Sequence, residues 1–573
     1  MSTPRPAPAT PSSLKIGRGE RMAMEELALT TIRKSHAVVF ISLFLAFLFG
    51  VFMWDLPVTR KLPILPWNHA GEPEHSATAK RTPSMLPEWT DPIFAANSRL
   101  LKRIKDSEGN LDKNSPFVRM TQPMVQEVLA ACGEGGTEVM AGKDGWLFYR
   151  PSFRFLTRPA EDLAEPQILS ARYNPAKAAG YRASLKPITE FADALKARGI
   201  RLVMVPVWPK QSIQPENLGG PAYRSEVALK PAGFAAWRDA IEQSGVLFFD
   251  PAESLMAAKR TQNGVAYLKT DSHWNTQTMQ RCATDLAHFL TAKGLLEPGT
   301  VKAAMVPSTV TNLGDLAQML QMPEGSRRFP QEQIEISEVR GDKGINWLSD
   351  RASPVLLLGD SYANIFSLDS MRWGKDAGFA EHLGAALGSP VDAILQNGGG
   401  ESGTRKQLAH ELAAGKDRLA GKNVVVWEFS ATQITEGQWT SFSYALGGSS
   451  ADGQFVELAD EETQQVTATI ADMGELPDPG KEVYKEYVGY FVLKDLQPVT
   501  GPALTGDKAL VFAMVMKDHK LTPAAGLKRG DHITAKLGSW SSAEREFGRH
   551  RRREPPGDLF LQPPNWLSYF KID

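Results

Sequence analysis

The chain has 573 residues, room for two or three domains, and its 42% apolar and 23% charged content is that of an ordinary globular protein. A net charge of −1 leaves no overall electrostatic footprint for nucleic acid. Two cysteines, Cys132 and Cys282, exclude a cysteine-rich scaffold and a Cys₄ zinc site. Residues 1–36 are polar and carry Arg18, Arg21, Arg33 and Lys34; Ala37 to Trp54 then runs without a charge. Eighteen helical residues span about 27 Å, close to a hydrocarbon core of about 30 Å. The basic cluster on the N-terminal side puts 1–36 in the cytoplasm and the bulk of the chain beyond the membrane, which in a Gram-negative cell is the periplasm. A cleaved signal peptide fits less well, because Asp55-Leu56-Pro57-Val58 offers no small-x-small site; a buried core helix is the remaining reading.

Residues 55–136 read as a stalk and helical linker, with six prolines between 57 and 90. The globular part starts near Lys143-Asp144-Gly145-Trp146-Leu147-Phe148, a turn leading into an aromatic strand. Helical spacing over Tyr181–Arg198 precedes the buried strand Arg201–Val207. A helix over 231–244 precedes a strand over 246–250. This alternation predicts a parallel sheet with helices on both faces. Val355-Leu356-Leu357-Leu358-Gly359-Asp360-Ser361-Tyr362 is an apolar strand ending in a turn. Ser361 therefore sits at the carboxyl edge of the sheet, where open α/β folds hold ligands. Asp360 or Ser361 as a plain helix cap is the alternative.

Upstream lies Thr270-Asp271-Ser272-His273-Trp274-Asn275. Residues two apart in an extended segment face one way, so Asp271 and His273 share a side. A hydroxyl needs a base, and a base needs an orienting carboxylate. A capping or polar structural role for His273 is the other reading. A metal site is disfavoured, since the ten histidines are scattered and no His-x₃-His pair occurs. Beyond the strand Val391–Leu395 comes Gln396-Asn397-Gly398-Gly399-Gly400-Glu401-Ser402-Gly403-Thr404. It lacks the Gly-Lys-Ser/Thr ending of a phosphate loop and fits better as a turn approaching a substrate oxygen. Asn423–Phe429 is the last core strand.

These motifs resemble those of the SGNH (GDSL-type) hydrolases. Gly359-Asp360-Ser361-Tyr362 resembles their first block and Asn397–Thr404 their second, with Gly403 the best match for its oxyanion donor. The Asp-x-His-Trp stretch and Asp144-Gly145-Trp146-Leu147-Phe148 are similar to the SGNH-like domain of periplasmic alginate O-acetyltransferases and related polysaccharide acetylation proteins. The resemblance covers roughly residues 137–440. It implies an SGNH-hydrolase-like parallel sheet with flanking helices and a permuted motif order, Asp and His preceding the serine. The third block, Gly-x-Asn-Asp, is absent; Trp427-Glu428-Phe429-Ser430 takes its place, so no asparagine donor is assigned.

Carried over, the resemblance implies Ser361 as nucleophile, His273 as general base, Asp271 as its carboxylate, and the Ser361 and Gly403 N–H groups as oxyanion donors. Lys210, Trp274 and Arg405 are looser candidates for substrate contact, against surface charge or core packing. No cofactor or metal is implied. A multi-pass membrane-bound O-acyltransferase is the implied acetyl donor, and an exported polysaccharide the acceptor. An acetylesterase and a non-catalytic polysaccharide-binding or assembly protein are the alternatives. Cys132 and Cys282 flank Asp-x-His, and a disulfide between them is left open.

From 451 to 573 the pattern changes to strands at 464–470, 487–493, 509–516 and 532–537, read as a small β-domain, a sandwich or barrel. Arg549–Arg553 reads as a solvated basic loop, with an acidic polymer or lipid headgroups as its other possible contacts. Trp540, Trp566 and Tyr569 read as core, with sugar stacking as the alternative.

Overall fold

A computed structural model describes residues 34–55, 100–101, 104, 115–158, 180–261, 264–322, 326–341, 347, 349–447, 454–480, 482–500 and 503–573. The tail 1–33 and residues 56–99 of the expected stalk fall outside them, while Pro116–Ala131 is the helix expected of the linker. The chain divides into two compact units, Met1–Gln122 and Pro123–Asp573. In the first, Lys34–Trp54 is a 21-residue helix. Among the described residues no helix is long and apolar enough to cross a membrane.

The second unit is built on five parallel strands in the order Leu247–Phe248, Arg201–Val207, Val424–Ser430, Val355–Gly359, Asp392–Leu395. The aliphatic run Val355–Gly359 is buried throughout and lies between two neighbours, as its lack of polar alternation requires. Gly359 is needed at its end, because a Cβ there would meet Ala363 and the Leu395 side chain at 2.8 Å. Helices such as Gly180–Lys196 and Thr276–Ala292 bury their apolar stripes on the sheet in one continuous core. Beyond Gly359 the chain forms two separate helices, Ser361–Asn364 and Phe379–Leu387, and Trp373 lies between them.

A two-stranded hairpin, Ala304–Asn312 with Glu332–Arg340, was not apparent from the sequence. Its first strand is mostly exposed and has no alternating apolar face.

The C-terminal region is a barrel. Strands run in the order Ala509–Lys517, Pro564–Ile572, His532–Ser539, Thr463–Met473, Tyr487–Thr500, and the last pairs back with the first. Closure removes the exposed edges that an open sheet would leave. Trp540, Trp566, Phe512 and Phe547 form a second aromatic cluster on it, while Tyr569 is exposed. Both cysteines are free thiols, Cys132 exposed and Cys282 buried, so no disulfide joins them.

Candidate active site

Strand Val355–Gly359 delivers Ser361 to the carboxyl edge of the sheet, heading the helix Ser361–Asn364. Asp360 caps that helix through the Tyr362 N–H at 2.8 Å and accepts the Ser430 N–H at 2.9 Å. The Asp360 N–H in turn donates to Glu428, the residue standing where an asparagine block was absent, at 3.1 Å. Burial raises the pKa of both carboxyls, and the charge of Asp360 pushes Glu428 well up. N–H groups donated to both Asp360 oxygens oppose the rise there, while at Glu428 the Asp360 charge adds to the effect of burial.

The segment 270–273 comes over the sheet edge from the other side. His273 Nε2 lies 2.9 Å from Ser361 Oγ, and Nδ1 lies 2.7 Å from Asp271 Oδ1. The second bond fixes the ring: Nδ1–H donates to the carboxylate, and Nε2 turns its lone pair to the hydroxyl. Asp271 Oδ2 accepts from Trp373 Nε1 at 2.8 Å and from the Asp315 N–H at 3.0 Å. Burial alone would raise the Asp271 pKa, but the hydrogen bond and charge of His273, with those two donors, hold it well below the usual carboxylate range. Burial would lower that of His273; the bond to and charge of Asp271, helped by Asp315 and Asp360, outweigh it and leave the imidazole raised.

Three supports of this segment carry no sequence signal. Glu332, on the unforeseen hairpin, accepts the Lys269 N–H at 2.8 Å and the Thr270 N–H and hydroxyl at 2.6 Å. Asp315 accepts the Ser272 N–H at 2.7 Å, and its carboxylate lies 3.7 Å from His273 Nδ1. Burial and the charge of Asp271 push Asp315 up to about 6. Gly314 makes this approach possible, since a Cβ there would lie 2.3 Å from the Thr270 backbone. Asp271, His273 and Asp315 place potential ligand atoms within 4.8 Å of one another. The hydrogen bonds above already occupy His273 on both nitrogens and Asp271 on both oxygens.

The other sequence candidates are held by the fold: Lys210 and Gly403 at the wall of the groove, Trp274 and Arg405 in the interior. Lys210 is buried and donates to the Leu147 carbonyl at 2.8 Å and to the carbonyls of Lys269 and Asp271. It ties the Asp144–Phe148 motif to the 270–273 segment; burial lowers its pKa to about 8 against the pull of Asp271. Trp274 is core: its Nε1 donates to the Tyr362 carbonyl at 3.1 Å and its ring packs on Tyr362 and Phe379. Arg405 is also buried, its guanidinium over the rings of Trp427, Trp439 and Phe442. Gly403 does line the groove, but its N–H is taken by the Gly399 carbonyl at 2.8 Å, so it is not an oxyanion donor here.

Arg549–Arg553 is not a solvated loop. The Arg549 carbonyl accepts the Asn397 N–H at 3.0 Å, and Arg551 donates to the Gly398 carbonyl. The Arg552 guanidinium lies over Phe512 and Trp540. The barrel thus braces the glycine-rich turn beside Ser361. Between them runs an open groove of about 1000 Å³ that reaches Ser361, His273, Tyr484, Arg551 and Arg553.

A family model described as "SGNH hydrolase-like domain, acetyltransferase AlgX" matches residues 139–431. The "Probable alginate O-acetylase AlgJ" of Azotobacter vinelandii is 25% identical over 308 residues, covering 52% of this chain and 70% of that protein. Its Pseudomonas putida counterpart is 26% identical over 350 residues, covering 59% and 81%. The solved O-acetyltransferase domain of Pseudomonas putida AlgJ superposes with a TM-score of 0.39 at 23% identity, over 52% of this chain and 92% of that one.

Proposed function

This chain belongs to the family of the SGNH hydrolase-like domain of acetyltransferase AlgX, and on that premise we propose that it is a membrane-anchored periplasmic O-acetyltransferase acting on an exported polysaccharide. The observation that carries the reading is the unbroken run of hydrogen bonds from Asp271 through His273 to Ser361, at 2.7 and 2.9 Å. In the proposed cycle His273 Nε2 takes the Ser361 proton as Oγ bonds to the acetyl carbonyl carbon. The oxyanion collapses, and the donor's leaving group departs with the proton from Nε2. A sugar hydroxyl then gives its proton to Nε2 and attacks the acetyl-serine. Collapse returns the proton to Ser361 and releases the ester. Asp271 stabilises the imidazolium in both halves.

A groove open along its length suits a polymer as acceptor, and the relatives' names point to alginate-like chains. The proposed inner-membrane anchor rests on the sequence, eighteen uncharged residues from Ala37 to Trp54. Acetyl-CoA is not available beyond that membrane, so a membrane-bound O-acyltransferase is the proposed donor. Protease added to spheroplasts should digest everything after the helix; full protection would remove the anchor and the compartment from the proposal.

The deciding experiment incubates the full chain in detergent with a chromogenic acetyl ester, with and without polysaccharide oligomers, and weighs protein and products. Acetyl on Ser361 followed by acetylated sugar is the expected result. Free acetate alone makes it an esterase. No turnover, with Ser361→Ala indistinguishable from wild type in cells, leaves a binding protein.

A further inference from the structure

Strand Arg201–Val207 ends at the same carboxyl edge of the sheet as the strand before Ser361, and through Trp208-Pro209 it delivers Lys210 at the head of the helix Lys210–Ile213. Lys210 is 2% exposed, at the wall of the groove. Its ammonium carries three hydrogens, and three carbonyls take them: Leu147 at 2.8 Å, Lys269 at 3.3 Å, and Asp271. The rings of Trp146 and Phe148 lie 5.5 Å from Nζ.

The third carbonyl matters most. The backbone of the catalytic segment is held residue by residue. The Lys269 carbonyl also accepts the Leu147 N–H at 3.0 Å, the Thr270 carbonyl the Ala317 N–H at 3.2 Å, and the Ser272 carbonyl the Tyr362 hydroxyl at 3.2 Å. At Asp271, whose carboxylate orients His273, the donor is Lys210, and among the described residues that carbonyl has no second one. A neutral amine has two hydrogens and a lone pair. One of the three bonds is then lost, and the lone pair faces a carbonyl oxygen.

The charges facing the ammonium come from three elements: Asp271 on the catalytic segment, Asp315 at the start of the helix Asp315–Met319, and Glu332 on the hairpin strand Glu332–Arg340. Burial outweighs their pull and brings the pKa to about 8. Tyr149, on the neighbouring strand Leu147–Tyr149, is pushed up to about 12 by burial and the charge of Glu138, so it keeps its proton in that range.

We propose that Lys210 is a positioning residue of the Ser361 site: its protonated ammonium, acting through the Asp271 carbonyl, holds Asp271 and His273 in place against the hydroxyl, and acylation fails when the proton leaves. The inference rests on the acetyl-serine reading above. Lys210 acts on no reacting atom. It sets the path of the backbone that carries two groups of the relay, where a misplacement of about 1 Å costs on the order of 10² in rate. Its folded pKa lies below the ordinary lysine value of about 10.4, so the proton is held below about pH 8 and lost above it. Joined to the rise through His273, the acylation profile is a bell.

The test uses the full chain in detergent with p-nitrophenyl acetate. Rapid-quench mass spectrometry reads the formation of acetyl-Ser361 from about pH 6 to about pH 10, a range that spans the histidine and lysine titrations, and circular dichroism follows the fold. In wild type, acylation should fall on the alkaline side with a midpoint near 8 while the fold stays intact. Lys210→Arg, whose guanidinium keeps its charge, should lose that alkaline fall. Lys210→Met has neither charge nor donors. It should acylate about 10²-fold more slowly at neutral pH, with KM nearly unchanged and no alkaline fall. If both variants fail to fold, thialysine at 210 keeps the shape of lysine with a more acidic amine, and the alkaline midpoint should move toward acid. A wild-type rate that stays flat through the alkaline range overturns the proposal. So does an alkaline fall that persists unmoved in Lys210→Arg or with thialysine, since another group then causes it. Unfolding along the same curve also overturns it, because the fold and not the geometry of the site would be titrating. A wild type that gains acetyl on Ser361 at no pH overturns the acetyl-serine reading and this inference with it.

Discussion

At the scale of single residues, the site is governed by who holds which proton. Asp271 keeps its charge because four groups converge on it, the His273 ring and backbone N–H among them. Asp271→Asn would disturb the tautomer as well as the charge, since an amide can present N–H to Nδ1. Acetyl transfer should drop on the order of 10⁴-fold with the melting curve much less affected, as burst kinetics and a thermal scan would show. The pH profile follows from His273. Its pKa is raised, so the neutral base is lost as pH falls through a value above the ordinary one of about 6.5. The acylation rate should therefore climb with pH to a midpoint on the alkaline side of that value. The Asp315 charge contributes to the raising, so Asp315→Asn should move the midpoint toward acid. A midpoint that stays put would separate Asp315 from the imidazole's electrostatics.

At the scale of elements, legibility tracks how local the cause is. The run Val355–Leu358 into Gly-Asp-Ser is a strand and turn written in consecutive residues, and Asp271 and His273 sit two apart, so three of the groups in the relay could be read directly. Trp373 arrives from the stretch between two helices, Asp315 from the start of the short helix Asp315–Met319 and Glu332 from the hairpin; only tertiary folding brings them to Asp271 and Thr270. Lys210 and Arg405 misled for a physical reason. Charged side chains are usually exposed, yet here one satisfies three carbonyls and the other sits among three aromatic rings. Strand Val424–Ser430 carries a different oddity, the Glu428 carboxyl buried beside the charge of Asp360. With its folded pKa raised, Glu428 contributes stability that is fully present below its unfolded value of about 4.3 and is lost as pH rises toward the folded one. The amide in Glu428→Gln has no such loss. Its melting temperature relative to wild type should be more favourable at pH 8 than at pH 5; a difference that does not change with pH would mean the carboxyl ionises freely in the fold.

At the scale of the molecule, the barrel and the sheet meet around the glycine-rich turn. Asn397 and Gly398 are held by Arg549 and Arg551, and Gln396 Nε2 donates to Glu554 at 2.8 Å. The basic run looked like a solvated loop because nothing local marks its partner, which lies about 150 residues away. Arg551→Met removes the bond to the Gly398 carbonyl and the guanidinium over Tyr487. The loss should be about 1–3 kcal/mol in urea titration, with slower acylation as the turn loosens. Wild-type stability and turnover in that variant would show that the brace is incidental.

The barrel's strand Pro564–Ile572 pairs with two others, and the ring of strands is not closed until it arrives. Synthesis from the N-terminus makes Ser361 and His273 long before that strand, so the hydroxyl exists before the arginines that clasp the neighbouring turn. The glycine-rich turn beside Ser361 is therefore braced only after residues 549–553 have joined the barrel.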